Sequence, residues 1–230
     1  MRLRRSLTAG ILAVSLSSGL AVPVLLVQDG AGFNNLVPAP SGVASFADSD
    51  GFWSIVITTG VSSPPNGGGT VGAPKLDLSI TANSLSGSQN NPLRIYFAGD
   101  NFGPTLGQAT ATLTGSLFNG TGAPVSYNSY FNAANLVPSI LDPVPAGSMP
   151  LTASGSLPGP DYADGRLSTI VDLASPYSLV QFVTVDGGIS GGSYTLDAGL
   201  AMTVSVPEPS GLILFAFAAA GLASALGRHR

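Results

Sequence analysis

Two short aspartate pairs are the first places where chemistry could sit. Asp48-Ser49-Asp50-Gly51 opens like a carboxylate-rich calcium loop, and Asp161-Tyr162-Ala163-Asp164-Gly165 offers a second pair. Hard cations take oxygen ligands, so Asp48, Asp50, Asp161 and Asp164 are the calcium candidates of the chain. Both loops lack the EF-hand spacing and its closing glutamate. The plainer reading of each is a solvated Asp-Gly turn, in which the carboxylate accepts a backbone N–H and the glycine takes the left-handed conformation. Trp53, beside Phe52, and Tyr127, near Tyr130 and Phe131, could stack on a sugar ring if exposed. The plainer reading again is that they anchor a core.

What is missing narrows the chemistry further. The sole histidine is His229, cysteine is absent, and Glu208 is the sole glutamate. A Ser–His–Asp triad, an imidazole metal site or a thiolate site therefore has no residues to use before the extreme C-terminus. A glycosidase acid–base pair would have to be built from aspartates alone. No catalytic residue is assigned, no cofactor is expected beyond the calcium candidates, and a non-enzymatic role is the expectation. The formal net charge is -4, yet Arg2, Arg4, Arg5, Arg228 and Arg230 crowd the two ends. Between residues 30 and 206 only Lys75, Arg94 and Arg166 offset the aspartates. Without a basic patch to neutralise phosphates, nucleic acid is excluded as a partner.

The elements that must position these residues alternate with period two. From 193 to 206, Tyr194, Leu196, Ala198, Leu200, Met202, Val204 and Val206 take one face, and Thr195, Asp197, Gly199 and Thr203 the other. That pattern is a long strand, or two strands bending at Gly199, with one buried side. Residues 75–81 alternate as cleanly, with Leu76, Leu78 and Ile80 inward, and 110–117 place Thr110, Thr112, Thr114 and Ser116 on the wet side. Stretches 53–59, 93–98 and 179–185 are rich in β-branched and aromatic residues, and 22–28, 125–131, 151–156 and 167–173 are weaker strands. Asp186-Gly187-Gly188 reads as a hairpin turn between two strands. The prolines at 138, 143, 145 and 150 predict a long connection. With 30 Gly and 18 Pro in the chain, long helices are unfavourable. The expected fold is all-β, an antiparallel sandwich of the jelly-roll or immunoglobulin-like kind over 22–205.

The two ends read as addresses. Arg2, Arg4 and Arg5 precede an apolar stretch with small residues near Ala21, a secretory signal peptide over 1–21 that predicts export. At the other end Val206-Pro207-Glu208-Pro209-Ser210 runs into an uncharged apolar stretch, 211–227, and then Arg228-His229-Arg230. As a helix that stretch would span roughly 25 Å, the short end of what crosses a bilayer core. Arg228 and Arg230 would hold its end at the cytoplasmic face. Two prolines around Glu208 stiffen the preceding segment into an extended tag.

These three parts, in this order, resemble the PEP-CTERM sorting domain of Gram-negative bacteria. The resemblance covers 206–230. It implies recognition of Pro207, Glu208 and Pro209 within Val206–Ser210 by exosortase, a membrane cysteine transpeptidase of exopolysaccharide-producing species. It also implies a single transmembrane helix at 211–227, a basic stop at Arg228 and Arg230, and an inner-membrane-anchored precursor that ends in the envelope or outside the cell. The expectation is an exported envelope or matrix protein associated with exopolysaccharide and biofilm. The alternative is a carbohydrate-binding or Asp-based carbohydrate-active module, with or without calcium. That alternative requires two or more of Asp48, Asp50, Asp161, Asp164, Trp53 and Tyr127 to converge on one concave patch.

Overall fold

The computed structural model describes residues 23–49, 51–62, 73–86, 88–118, 125–151, 155–157, 165–173, 176–186 and 191–204. The segments expected to be a signal peptide (1–21) and a sorting tail (206–230) lie outside them, as do Asp50, Asp161 and Asp164. Thirteen strands form among the described residues. They are β1 (Val24–Gln28), β2 (Asn34–Pro38), β3 (Ser45–Ser49), β4 (Trp53–Ser62), β5 (Lys75–Ser84), β6 (Leu93–Phe102) and β7 (Thr105–Phe118). The rest are β8 (Val125–Asn132), β9 (Ser148–Pro150), β10 (Gly155–Leu157), β11 (Gly165–Leu173), β12 (Tyr177–Val185) and β13 (Ser193–Val204).

All pairings are antiparallel, and they make two sheets. A seven-stranded sheet runs β10-β8-β12-β6-β1-β2 with β9 also on β8, and a six-stranded sheet runs β11-β7-β13-β5-β4-β3. Consecutive strands β5, β6, β7 and β8 alternate between sheets, as do β11, β12 and β13. Of the two wirings expected, this alternation is that of the jelly roll. It also corrects the hairpin expected around residues 186–188: β12 and β13 belong to opposite sheets and do not pair with each other, and Gly187 and Gly188 lie outside the described residues. β13 runs unbroken through Gly199 from Ser193 to Val204, one strand rather than two.

The core is the space between the sheets. Leu76, Leu78, Ile80 and Ala82 of β5 and Tyr194, Leu196, Ala198, Leu200 and Met202 of β13 face Leu25, Val27, Ile95, Phe97, Leu179, Val183 and Val185 of the other sheet. Each fully buried aliphatic side chain contributes about 1.5–3 kcal/mol, which is why register follows the apolar parity and not the turns. Trp53 is fully buried against Tyr194, with ring centroids 6.0 Å apart. Its indole N–H donates to the Asn91 carbonyl at 2.7 Å.

The proline-rich connection does more than link β8 to β9. Residues 133–147 cross the outer side of the seven-stranded sheet as a strap. Asn135 Oδ1 accepts the Asn101 N–H at 2.7 Å and its amide donates back to Asn101 Oδ1 at 2.8 Å. Further along, Ser178 Oγ donates to the Leu136 carbonyl, and Gln28 Nε2 donates to the Ile140 carbonyl at 3.3 Å. Outward-facing Leu26, Ala98 and Val180 are fully buried on the side the strap crosses.

Candidate functional site

The outer face of the six-stranded sheet is polar along its centre, with Val56, Leu106 and Ile170 exposed toward its sides, and a cleft is cut into the polar part. The cleft, about 270 Å³, is lined by Asp77, Leu78, Ser79, Thr112, Thr114, Asp197, Ala198 and Gly199. Three neighbouring strands supply the side chains. On β13, Asp197 pairs with Ser79 of β5 and Thr114 of β7, and Gly199 pairs with Asp77 and Thr112. Two adjacent rows result, Thr114–Asp197–Ser79 and Thr112–Gly199–Asp77, with the two carboxylates on the diagonal.

Gly199 makes the hollow. A Cβ placed there would lie 2.9 Å from Thr112 Oγ1 and 3.6 Å from Asp77 Oδ1, so any side chain would occupy the cleft. The Gly199 carbonyl accepts bonds from both sides of the sheet. Thr112 Oγ1 donates from outside at 3.5 Å, and the Tyr127 hydroxyl donates from the core at 3.4 Å. Tyr127 O–H also lies 3.3 Å from Gln181 Oε1, so a buried polar strut reaches from β8 and β12 across the sandwich to the cleft floor. Complete burial pushes the Tyr127 hydroxyl pKa far up, which keeps it neutral and a donor.

The Asp77 carboxyl is also raised above its ordinary value. Burial is the main cause, Lys75 opposes it, and the Asp197 charge adds to it. A carboxylate held at some cost beside a second carboxylate and three hydroxyls (Ser79, Thr112, Thr114) offers acceptors and donors to a hydroxyl-rich ligand. No histidine, cysteine or glutamate stands among the described residues to act as a nucleophile–base partner. Nor do the described residues contain a group of three or more metal-ligating side chains.

Of the residues singled out from sequence, Asp48, Trp53 and Tyr127 are among the described residues, and these three do not share one concave patch; Asp50, Asp161 and Asp164 lie outside the described residues. Trp53 and Tyr127 are 0% and 1% exposed, which corrects the sugar-stacking expectation for both: neither ring presents a face to solvent. Tyr127 instead braces the cleft from below. Asp48 is exposed in edge strand β3, and its Oδ1 accepts the Ser49 N–H at 2.7 Å. Gly51 beside it has φ of +96°, the geometry of a solvated turn. Asp77 and Asp197 were legible as wet-face residues of alternating strands, but their adjacency had no local signal.

No protein family matches the chain, and no curated protein matches it either. Among solved structures, 71% of this chain overlays 96% of the CBM22-1 xylan-binding domain of Paenibacillus barcinonensis Xyn10C, at 9% identity and a TM-score of 0.33. The family 11 carbohydrate-binding module of Clostridium thermocellum overlays over 98% of its length and 81% of this chain, at 9% identity and a TM-score of 0.34. A Stig cyclase of Fischerella sp. TAU overlays over 87% of its length and 72% of this chain, at 11% identity and a TM-score of 0.32. Superpositions this loose identify neither ancestry nor ligand.

Proposed function

We propose that this chain is an exported, non-enzymatic polysaccharide-binding protein of the cell envelope or matrix, delivered there by its C-terminal sorting tail. The observation that carries the binding part is the cleft over Gly199, where Asp77, Asp197, Ser79, Thr112 and Thr114 present hydrogen-bonding groups around a hollow. Sugars offer hydroxyls at close spacing, and carboxylate acceptors make the stronger bonds to them. The delivery part rests on Pro207, Glu208 and Pro209, the apolar stretch after them, and Arg228 with Arg230. Exosortase is then the processing partner, and exopolysaccharide the ligand the ectodomain meets.

The discriminating variant is Gly199→Ala. Its Cβ would lie 2.9 Å from Thr112 Oγ1 and meets no backbone atom at close range, so the Thr112 hydroxyl must turn away from the Gly199 carbonyl at a small cost, which the better strand propensity of alanine offsets in part. Full-length protein in detergent is run through gels containing soluble neutral polysaccharides. Wild type is retarded and Gly199→Ala migrates freely, while its melting curve stays cooperative and within a few degrees of wild type. Equal retardation of both, or none by any polysaccharide tried, removes the cleft as a binding site. Release of reducing ends overturns the non-enzymatic reading.

A further inference from the structure

The opposite face of the sandwich carries a second arrangement that the cleft does not use. On the outer side of the seven-stranded sheet, register places Leu26, Tyr96, Phe182 and Asn128 in one row across β1, β6, β12 and β8. Gln28, Arg94, Thr184 and Ser126 form the row beside it. Tyr96 and Phe182 stack with rings 4.2 Å apart and 2° from parallel. One face of Phe182 is thus covered by Tyr96, and its other face is turned along the row toward Asn128. Phe182, Asn128, Arg94, Thr184 and Tyr130 are all partly exposed, whereas Tyr96 is buried. The strap bounds this shelf where Gln28 holds the Ile140 carbonyl.

Arg94 supplies the charge. Among the described residues it has no hydrogen-bond or ion-pair partner, although its charge lies close enough to influence the Tyr96 hydroxyl, as does Tyr130. Beside it Thr184 is short, so the long guanidinium stem can lie across that row toward β8. A cation with no counter-ion among the described residues, beside a partly exposed aromatic ring, suits an anion with an apolar side. A guanidinium takes a carboxylate with paired N–H donors, and an aromatic face takes the C–H side of a sugar ring.

We propose that this shelf binds the hexuronate units of an acidic polysaccharide, with the pyranose against Phe182, its ring hydroxyls on Asn128 and Thr184, and its carboxylate on Arg94. The proposal deepens the polysaccharide-binding reading but uses a different surface, so the two fail separately. The test is titration of the full-length protein in detergent with an oligogalacturonate, and with cellohexaose as a neutral control. Expected is saturable binding of the uronate that weakens as salt rises. Arg94→Ala and Phe182→Ala should each weaken it by roughly tenfold or more, while Arg94→Lys restores only part, because an ammonium lacks the planar fork. Gly199→Ala should leave uronate binding unchanged. Uronate affinity that survives both Arg94→Ala and Phe182→Ala, in variants that melt like wild type, overturns the proposal. So does absence of uronate binding by a wild-type protein that still binds neutral polysaccharide at the cleft.

Discussion

Asp77 shows how one carboxylate can report a site. Partial burial raises its pKa above the ordinary 3.8, with Lys75 opposing and the Asp197 charge adding, so the folded chain holds that proton more tightly than the unfolded one. The sign follows from linkage: ionising Asp77 costs stability, the cost is fully present above the folded pKa, and it disappears below 3.8. Asp77→Asn removes the cost. The variant should melt higher than wild type at pH 7, and the difference should shrink as pH falls, vanishing in the acid range. Melting curves taken across pH check this; a gap that widens on acidification contradicts the assignment. Asp77 and Tyr127 mark opposite limits of what residue types disclose. Asp77 looked like an ordinary solvated strand residue, and Tyr127 looked able to stack a sugar, because type and spacing do not say what a neighbouring strand brings.

At the scale of elements, the alternating strands were legible and the edges were not. The stretches read from 53, 75, 93, 125 and 179 became β4, β5, β6, β8 and β12, since buried parity is a local property of the pleat. β2 (Asn-Asn-Leu-Val-Pro) and β3 (Ser-Phe-Ala-Asp-Ser) escaped notice because edge strands bury little and carry polar residues. Two glycines on adjoining strands show what packing adds. A Cβ on Gly115 of β7 would fall 2.5 Å from Leu196 Cδ2 and 2.7 Å from the Thr195 carbonyl oxygen, and the second is a collision with backbone that cannot swing away. Gly115→Ala should therefore destabilise by about 1–3 kcal/mol, in contrast to Gly199→Ala. Chemical denaturation of the two variants side by side checks it. The strap is a third lesson: its prolines predicted a connection, while its hydrogen bonds to Asn101, Ser178 and Gln28 make it a cover for one sheet face.

For the whole molecule, β13 ends at Val204 and the proposed sorting motif begins at Val206, so a single residue, Ser205, separates them along the sequence. In a host that carries exosortase, replacing Pro207-Glu208-Pro209 with alanines should leave an unprocessed, membrane-held precursor. Immunoblotting of membrane and medium fractions reads the outcome; a variant processed like wild type rules out the PEP assignment. Composition and the alternation of apolar residues determined by themselves that the described body is all-β, that its wet faces are rich in Ser, Thr and Asp, and that histidine and thiol chemistry have no residues there. These follow from counts and from a period-two pleat, both local. Only the tertiary structure decided that Asp77, Thr112, Asp197 and Gly199 share one hollow, and that Arg94, Tyr96 and Phe182 share one shelf. Strands far apart in sequence become neighbours through competition among non-local pairings, and no spacing along the chain records which pairing wins.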